Sequence, residues 1–478
     1  MKKNIVIASM PVNDQPAIAT VLYENDKATE LYIQYLEKQE LLGGIYVGQI
    51  ERIQENINAA YVRIGKDLTA YLALDEGRCV DDFIMKTRRE EKAELRGGDE
   101  LLVQVEKEAL KTKLPRVTGN LSFPGKYIVL TTRMKRLSFS RKLAPEEKIR
   151  LRKVFTKKMW KEFGIIVRTN AAEATEEELL AEYLKLAKEA RELCAKGPTR
   201  TVYSQLKAPE QDWMRVIRQC AAEDLERIQT DVPEVFEYIR ANTEAMGITN
   251  AVIVQKSTVK KHVIQLQNPE KKKEQGFPAQ QGKNKPEEDN LSTADNATKA
   301  FSIINTGNAG DAEDKEKLAD VCHETKVELY DDDLVALYQI KNLKTTLGRS
   351  LAKQVELKSG GNLVIEETEA FVVIDINSGK YESHKNSLEA RKKINFEAAE
   401  MIARQMRLRQ LSGTILIDFI NMADAKDEKE LLNFMEKLVR ADSLKTTVID
   451  ITPLGIMEIT REKKRKPLRE QVFVQNNI

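Results

Sequence analysis

The chain has 478 residues, 41% apolar and 32% charged, with a net charge of +2. That length exceeds one ordinary core and implies three or more domains of soluble, globular composition. No apolar run of about eighteen residues occurs, so no membrane span is expected, and the start, Met1-Lys-Lys-Asn-Ile-Val-Ile, has the look of a first strand rather than a signal peptide. Only three histidines are present (His262, His323, His384), none in a Ser/His/Asp or H-x-x-x-H pattern, which argues against a triad hydrolase or a His-based acid–base pair. Cys79, Cys194, Cys220 and Cys322 lie far apart with no C-x-x-C, the pattern of reduced, cytoplasmic thiols rather than of a zinc knuckle.

In chain order, residues 1–38 hold two alternating runs, Ile5-Val-Ile and Ala17 to Tyr23, which predict a hairpin. Residues 39–118 are short strands with turn signals, among them Gly43 to Gly48, Ala59 to Gly65, Ala70 to Ala73 and Leu101 to Val105. Five short strands in that span suit a small barrel of the OB type, a fold that binds single strands. Tyr46, Tyr61 and Tyr71 are candidate stacking platforms, with Tyr46 equally suited to the barrel core. A strand at Lys126 to Thr131 follows, then a basic helical stretch and a strand at Gly164 to Thr169. Thr131 to Arg168 carries 13 Lys/Arg against 3 Asp/Glu, and Arg461 to Arg469 six basic residues against one acid; such blocks are footprints for nucleic acid or simply solvated helix faces. Arg168-Thr169, ending an apolar run, could hold an anion. Glu176 to Leu193 reads as an amphipathic helix. Residues 197–255 alternate short strands and helices, and about 267–316 is a polar linker or insertion too poor in apolar residues to order itself.

Residues 326–460 form an α/β block, with strand-like pieces at Val327 to Tyr330, Gly361 to Ile365, Phe371 to Asp375, Ile415 to Phe419 and Thr447 to Ile451. Asp375 and Asp418 each close a short β-branched apolar run. The helix between them, with Phe396, Ala399, Ile402, Ala403 and Met406 as its core stripe, is long enough for a crossover, so the two strands are expected to be parallel and to bring both carboxylates to one sheet edge. Arg404, Arg407 and Arg409 fan around the rest of that helix. Paired carboxylates suit Mg²⁺, or Mn²⁺ in its place, together with substrate phosphate oxygens, which points to phosphodiester chemistry.

Read together, the segments Thr368-Glu-Ala-Phe-Val-Val-Ile-Asp-Ile-Asn-Ser-Gly379, Asn395-Phe-Glu-Ala-Ala, Ile402-Ala-Arg-Gln-Met-Arg-Leu-Arg409, Ile417-Asp-Phe-Ile-Asn-Met422 and Pro453 to Arg461 resemble the ribonuclease E/G family of bacterial endoribonucleases. Gly43 to Gly48 with Ala59 to Gly65 is similar to its S1-type OB-fold. The resemblance implies an α/β multi-domain fold: an RNase-H-like part (1–38 and 223–266), an inserted OB-fold (39–118) and 5′-sensor region (119–222), the polar insertion (267–316), a DNase-I-like catalytic domain (317–460) and a basic tail (461–478). It implies Asp375 and Asp418 as metal ligands, with Asn377 positioning the scissile phosphate. It implies Tyr61, Tyr71, Lys107 and Lys113 as RNA contacts, and Gly125, Val129, Arg168 and Thr169 as the pocket for a 5′-monophosphate. The expected activity is Mg²⁺-dependent cleavage of single-stranded RNA, rRNA precursors and mRNA, leaving 5′-phosphates, in the cytoplasm. A non-catalytic RNA-binding or ribosome-associated factor is the alternative, and a DNA nuclease a third reading. The chain departs from the family pattern in places. No Cys follows Cys322, so the family's C-P-x-C zinc link is not expected and a homo-oligomer would not be a zinc-linked dimer. Asn421 stands where an acid is frequent, Val47 where a basic residue is frequent, and Leu114-Pro115 in place of a glycine-led turn.

Overall fold

The computed structural model describes residues 2–38, 40–75, 77–86, 90–109, 113–220, 224–243, 246–248, 250–255, 324–332, 334–378, 388–422 and 424–473. All of them belong to one compact unit; a second, Thr258–Cys322, lies outside the described residues, and with it the polar segment 267–316. All three histidines are also outside them.

The first strands are β1 (Lys3–Val12), β2 (Gln15–Glu24) and β3 (Lys27–Tyr35). The hairpin read from two apolar runs is therefore a three-stranded meander. Its turns are Asn13-Asp14 and Asn25-Asp26, each pair at positive φ, the conformation of a tight hairpin turn. β4 (Ile45–Gln54), β5 (Ala59–Gly65), β6 (Leu68–Ala73), β7 (Glu100–Lys107) and β8 (Arg116–Thr118) follow. They run in the order β4-β5-β6-β8-β7, and pairing of β7 with β4 closes them into an OB-like five-stranded barrel. Next come β9 (Ser122–Pro124), β10 (Ile128–Thr131), β11 (Leu137–Phe139), α1 (Pro145–Val154), α2 (Lys157–Glu162), β12 (Gly164–Val167) and α3 (Glu176–Lys196). The four strands form a small sheet, β11-β12-β10-β9, with α3 packed on it through Leu179, Tyr183, Leu186 and Ala187.

β13 (Gln205–Lys207) adds to the barrel edge at β4. α4 (Asp212–Gln219), β14 (Leu225–Thr230), α5 (Pro233–Ala241), β15 (Ala251–Gln255) and β16 (Thr325–Leu329) then return the chain to the first sheet, whose order is β15-β16-β14-β1-β2-β3. The strand read at Val327 to Tyr330 thus pairs with β14 and β15 rather than with the later α/β strands. This sheet is buried on both faces: Ile5 and Ile7 pack on one side, Val6, Ala8 and Met10 on the other, which explains the near-continuous apolar run in β1.

α6 (Leu337–Ile340) and α7 (Leu343–Leu351) lead into the last sheet, built from β17 (Gln354–Glu356), β18 (Asn362–Glu367), β19 (Phe371–Asn377), α8 (Leu388–Leu408), β20 (Gly413–Asp418), α9 (Ala425–Val439), β21 (Thr446–Ile451) and β22 (Ile456–Arg461). Its order is β17-β18-β19-β20-β22-β21, and β19–β20 is the one parallel pair. α8 is the crossover that makes them parallel. α10 (Leu468–Phe473) closes the described chain and buries Leu468 and Val472 against the first sheet.

Candidate functional site

In β19 burial alternates strictly. Val372, Ile374 and Ile376 turn inward; Phe371, Val373, Asp375 and Asn377 turn to the other, open face. The inward residues pack with Ile415 and Ile417 of β20 against Ala398, Ile402 and Met406 of α8 and Leu431 and Met435 of α9. The parallel register pairs Phe371 with Thr414, Val373 with Leu416 and Asp375 with Asp418. The two carboxylates therefore stand side by side on the same exposed face, at the C-terminal ends of neighbouring strands about 4.8 Å apart. Asn377 Nδ2 donates to Asp375 Oδ2 at 3.0 Å.

The chain beyond Asp418 is held by a residue with no obvious functional signature. Asn395 of α8 is fully buried; its Nδ2 donates to Ile420 O at 2.7 Å and its Oδ1 accepts from Ile420 N at 3.1 Å. In the sequence Asn395 opens one of the segments that carry the family resemblance, but nothing there gives it a role. Among the described residues no group of three or more His, Cys, Asp or Glu is arranged to hold a metal ion. The two aspartates are the donors here, a set that fits a hard cation keeping waters and phosphate oxygens as its remaining ligands.

A second cluster forms where β9, β10 and β12 meet α3. Arg168, just past β12, donates from Nη1 to Gly125 O at 2.7 Å, and its backbone carbonyl accepts from Ala171 N at 3.2 Å. Its backbone N–H reaches Tyr127 O at 2.8 Å. Burial, with Arg218 nearby, lowers the Arg168 pKa against the pull of Glu182 and Glu210. Thr169 is exposed, its Oγ1 2.9 Å from Ser140 Oγ. Val129 pairs with Ile166 across β10–β12, so the four residues expected to form one pocket do share one corner. Behind the corner, the Glu182 carboxylate accepts from the backbone N–H groups of Lys126 (2.6 Å), Tyr127 (2.9 Å) and Ile128 (2.9 Å). Gly125 has no side chain for a steric reason: a Cβ there would lie 2.5 Å from that carboxylate. In the sequence Glu182 is one of many glutamates on an amphipathic helix, with nothing to single it out.

On the barrel, Tyr61 and Tyr71 face each other across β5 and β6, partly exposed, ring centroids 6.5 Å apart and edge to face. The Arg52 guanidinium lies 4.4 Å over the Tyr61 ring. Tyr46 is 3% exposed and accepts from Gln205 Nε2, so it is a core residue. Lys107 ends β7 opposite Arg116. Lys113 lines a cleft of about 720 Å³ with Phe371 and Lys463, at the start of β19 rather than at its aspartate end.

Several cations of the basic stretches are engaged within the protein. Arg150 donates to the carbonyls of Ala171, Ala172 and Ala174, and Lys142 Nζ to Asp442 O. Arg461 is 3% exposed in an ion pair with Asp442 at 2.6 Å. The α8 arginines do not fan into solvent either: Arg404 donates to Ala28 O, Arg407 pairs with Glu24 and Glu30, and Arg409 is 5% exposed.

The sequence profile of the ribonuclease E/G family matches residues 122–280 and 290–464. Ribonuclease G of Salmonella typhimurium is 28% identical over 471 residues, which is 96% of this chain and 80% of that protein. Ribonuclease G of Haemophilus influenzae is 27% identical over 458 residues, 94% of this chain and 77% of its own. Ribonuclease E of Synechocystis is 28% identical over 475 residues, 98% of this chain and 58% of its own. With a profile spanning both the Gly125–Arg168 corner and the Asp375–Asp418 pair, the chain belongs to the ribonuclease E/G family.

Proposed function

We propose that this chain is a metal-dependent endoribonuclease that cleaves single-stranded RNA in cytoplasmic RNA processing and decay, rRNA precursors and mRNA included, with a preference for 5′-monophosphorylated ends. The observation that carries the reading is the placement of Asp375 and Asp418 side by side on an open sheet face. Those two residues would hold Mg²⁺, or Mn²⁺ in its place. When bound, such an ion supplies a Lewis acid for the phosphodiester and an acidified water, leaving a 5′-phosphate. Asn377 fixes the Asp375 carboxylate with one amide hydrogen and has a second for a phosphate oxygen. Asn395 keeps the segment after Asp418 in place. Tyr61 and Tyr71 offer stacking surfaces to unpaired bases, with Lys107 and Lys113 as phosphate contacts. Gly125, Val129, Arg168 and Thr169 would receive the 5′-phosphate: a guanidinium and a hydroxyl at the rim of a glycine turn suit that group.

In this reading 1–38 and 223–266 are the two segments of an RNase-H-like part, 39–118 an S1-type OB-fold, 119–222 the 5′-sensor region, 317–460 apart from β16, which joins the first sheet, a DNase-I-like catalytic domain, and 461–478 a basic tail. The parallel pairing of β1 with β14 supports the split first part. The test is cleavage of a 5′-monophosphorylated single-stranded RNA with Mg²⁺ and with EDTA, by the native chain, Asp375→Asn and Asp418→Asn. Metal-dependent cuts lost in both variants, with RNA binding retained, are expected. Cleavage retained in either variant would remove the site assignment. Binding without any cuts by the native chain would favour an RNA-binding or ribosome-associated factor.

A further inference from the structure

Beyond the start of β19, at the opposite end of the strand from Asp375, lies a group of cations with no assigned role. Arg409 follows α8 and is 5% exposed. Its Nε donates to Gln405 Oε1 at 2.6 Å and its Nη1 to Ala352 O at 2.7 Å, but its Nη2 is buried with no hydrogen-bond partner. An unsatisfied buried donor on a charged group is costly, and its usual explanation is a missing ligand or water. Arg409 lines a cavity of about 270 Å³ together with Ser350, Lys353, Glu366, Glu367 and Arg469. Lys353 is paired with Glu366. The lining also includes the guanidiniums of Arg409 and Arg469 and the exposed, engaged carboxylate of Glu367. Burial, opposed by Glu367 and reinforced by Arg469, pushes Arg409 down to about 10, the behaviour of a cation short of negative charge. Two guanidiniums in a polar cavity, one with a spare N–H₂, suit a tetrahedral oxyanion.

The surroundings say which oxyanion. Glu367 and Arg469 also line the cleft of about 720 Å³ that holds Lys113, Lys463, Phe371 and Phe473. Phe371 is 46% and Phe473 56% exposed, and the Arg469 guanidinium lies 5.8 Å from the Phe473 ring. Exposed rings interleaved with cations take single-stranded nucleic acid, the rings stacking on bases and the cations following phosphates. Glu367, Glu369 and Glu470 line the same cleft opposite Lys113, Lys463 and Arg469, so its charges balance, and the spare donor is that of Arg409 in the adjoining cavity. Phe371 shares the open face of β19 with Asp375, four residues away or about 13 Å at strand rise. We propose that the Arg409–Arg469 cavity is a phosphate-binding pocket for the backbone of single-stranded RNA lying beside Phe371. This rests on the reading of the chain as an RNA-cleaving protein and adds a contact remote from the aspartate pair.

The test is binding of a fluorescent 5′-hydroxyl single-stranded oligoribonucleotide to the full chain in EDTA, across a salt series. The proteins are native, Arg469→Gln, Arg409→Lys and a control, Lys188→Gln, on the exposed face of α3. Arg469→Gln should weaken binding roughly three- to tenfold and lower the slope of log affinity against log salt by about 0.7, the increment for one single-strand phosphate contact. Lys188→Gln should change neither. Arg409→Lys keeps the charge and loses the fork, so affinity should fall with the slope retained. Native affinity and slope in both arginine variants would overturn the proposal; should Arg409→Lys fail to fold, Arg469→Gln decides alone. A parallel arm follows thermal unfolding in inorganic phosphate against chloride at equal ionic strength. Phosphate stabilisation lost in Arg409→Lys, with an unaltered RNA slope in Arg469→Gln, would make this a pocket for free phosphate and overturn the RNA occupant. Metal-dependent cleavage with unaltered slopes would leave the nuclease reading standing and remove this pocket; no RNA binding by the native chain would remove both.

Discussion

Asn395→Ala separates holding the site from holding the fold. The amide is fully buried and makes two hydrogen bonds to Ile420, two residues past Asp418. Each such bond contributes a net ~1 kcal/mol, and leaving the Ile420 N–H and C=O unpaired costs more, so destabilisation of roughly 2–4 kcal/mol is expected in urea unfolding. The second consequence is local. A loosened segment beyond β20 lets the Asp418 carboxylate wander from its place beside Asp375. Removing a group that orients metal ligands typically costs about 10–100-fold in metal affinity or activity. The assay is the Mg²⁺ concentration giving half-maximal cleavage of single-stranded RNA, alongside Ile394→Val, a neighbouring core change that should cost about 1 kcal/mol by cavity formation alone. Asn395→Ala should raise the Mg²⁺ requirement about tenfold or more, and Ile394→Val should leave it unaltered. Equal Mg²⁺ requirements in the two variants would refute the positioning role and reduce Asn395 to a core hydrogen bond.

Arg168→Ala should reduce discrimination between 5′-monophosphate and 5′-hydroxyl substrates, measured as the ratio of initial cleavage rates; an unchanged ratio would remove the 5′-end pocket. Glu182→Gln replaces a triple acceptor with a side chain that also donates, so the 126–128 backbone should loosen, with a loss of about 1–3 kcal/mol in unfolding free energy and of the same discrimination. Tyr71→Ala should weaken RNA binding in EDTA by about 1–3 kcal/mol if one base stacks there. Burial alone would raise the Asp442 carboxyl, but hydrogen bonds from Arg461, Thr446 and Leu444 N hold it below the ordinary carboxylate range. A depressed folded pKa contributes stability that is complete above the unfolded pKa of about 4 and lost as pH falls through the folded value. Urea unfolding should therefore show an acid-side loss of stability below about pH 4 that Asp442→Asn removes, at a cost of about 3–5 kcal/mol at neutral pH for leaving Arg461 buried without its partner.

What the sequence revealed follows from which signals are local. The β19–α8–β20 unit was legible because a β-branched apolar run, a crossover length and a terminal aspartate are each encoded locally, while the alternation of β19, with Phe371 and Val373 on the open face, is not. β3 was missed although Asn25-Asp26 is a strong turn signal, because Lys27 to Tyr35 mixes charge and apolar residues: Glu30 is a buried acid, 4% exposed, facing Arg407 from a helix over 370 residues later. Likewise Thr325–Leu329 reads as the opening of the last α/β block, and only long-range pairing with β14 and β15 puts it in the first sheet. Tyr46, Tyr61 and Tyr71 look alike as letters; register decides that the first points into the barrel and the other two meet on its surface. The roles of Asn395 and Glu182 are invisible in the sequence for the same reason. Their partners are backbone groups, which leave no trace in the identity of the residues that carry them.

Charge, too, differs between the chain and the fold. Counted along the chain, Thr131 to Arg168 carries an excess of ten positive charges, and a single-strand site using all of them would show a salt slope near −7 at about 0.7 per contact. Paired in space, the number shrinks. Lys142 and Arg150 serve backbone carbonyls, Arg133 lies over Phe83 and near Asp82, and Arg168 is partly committed to Gly125. In the tail, Arg461 is buried against Asp442 and Arg465 pairs with Asp212 beneath the first sheet. Arg404 and Arg407 fasten the helix between the two aspartates to β2 and β3, so these cations tie the last sheet to the N-terminal one. A measured slope well short of −7 is therefore the expected result. A slope near that value would mean that these internal pairs open when RNA binds.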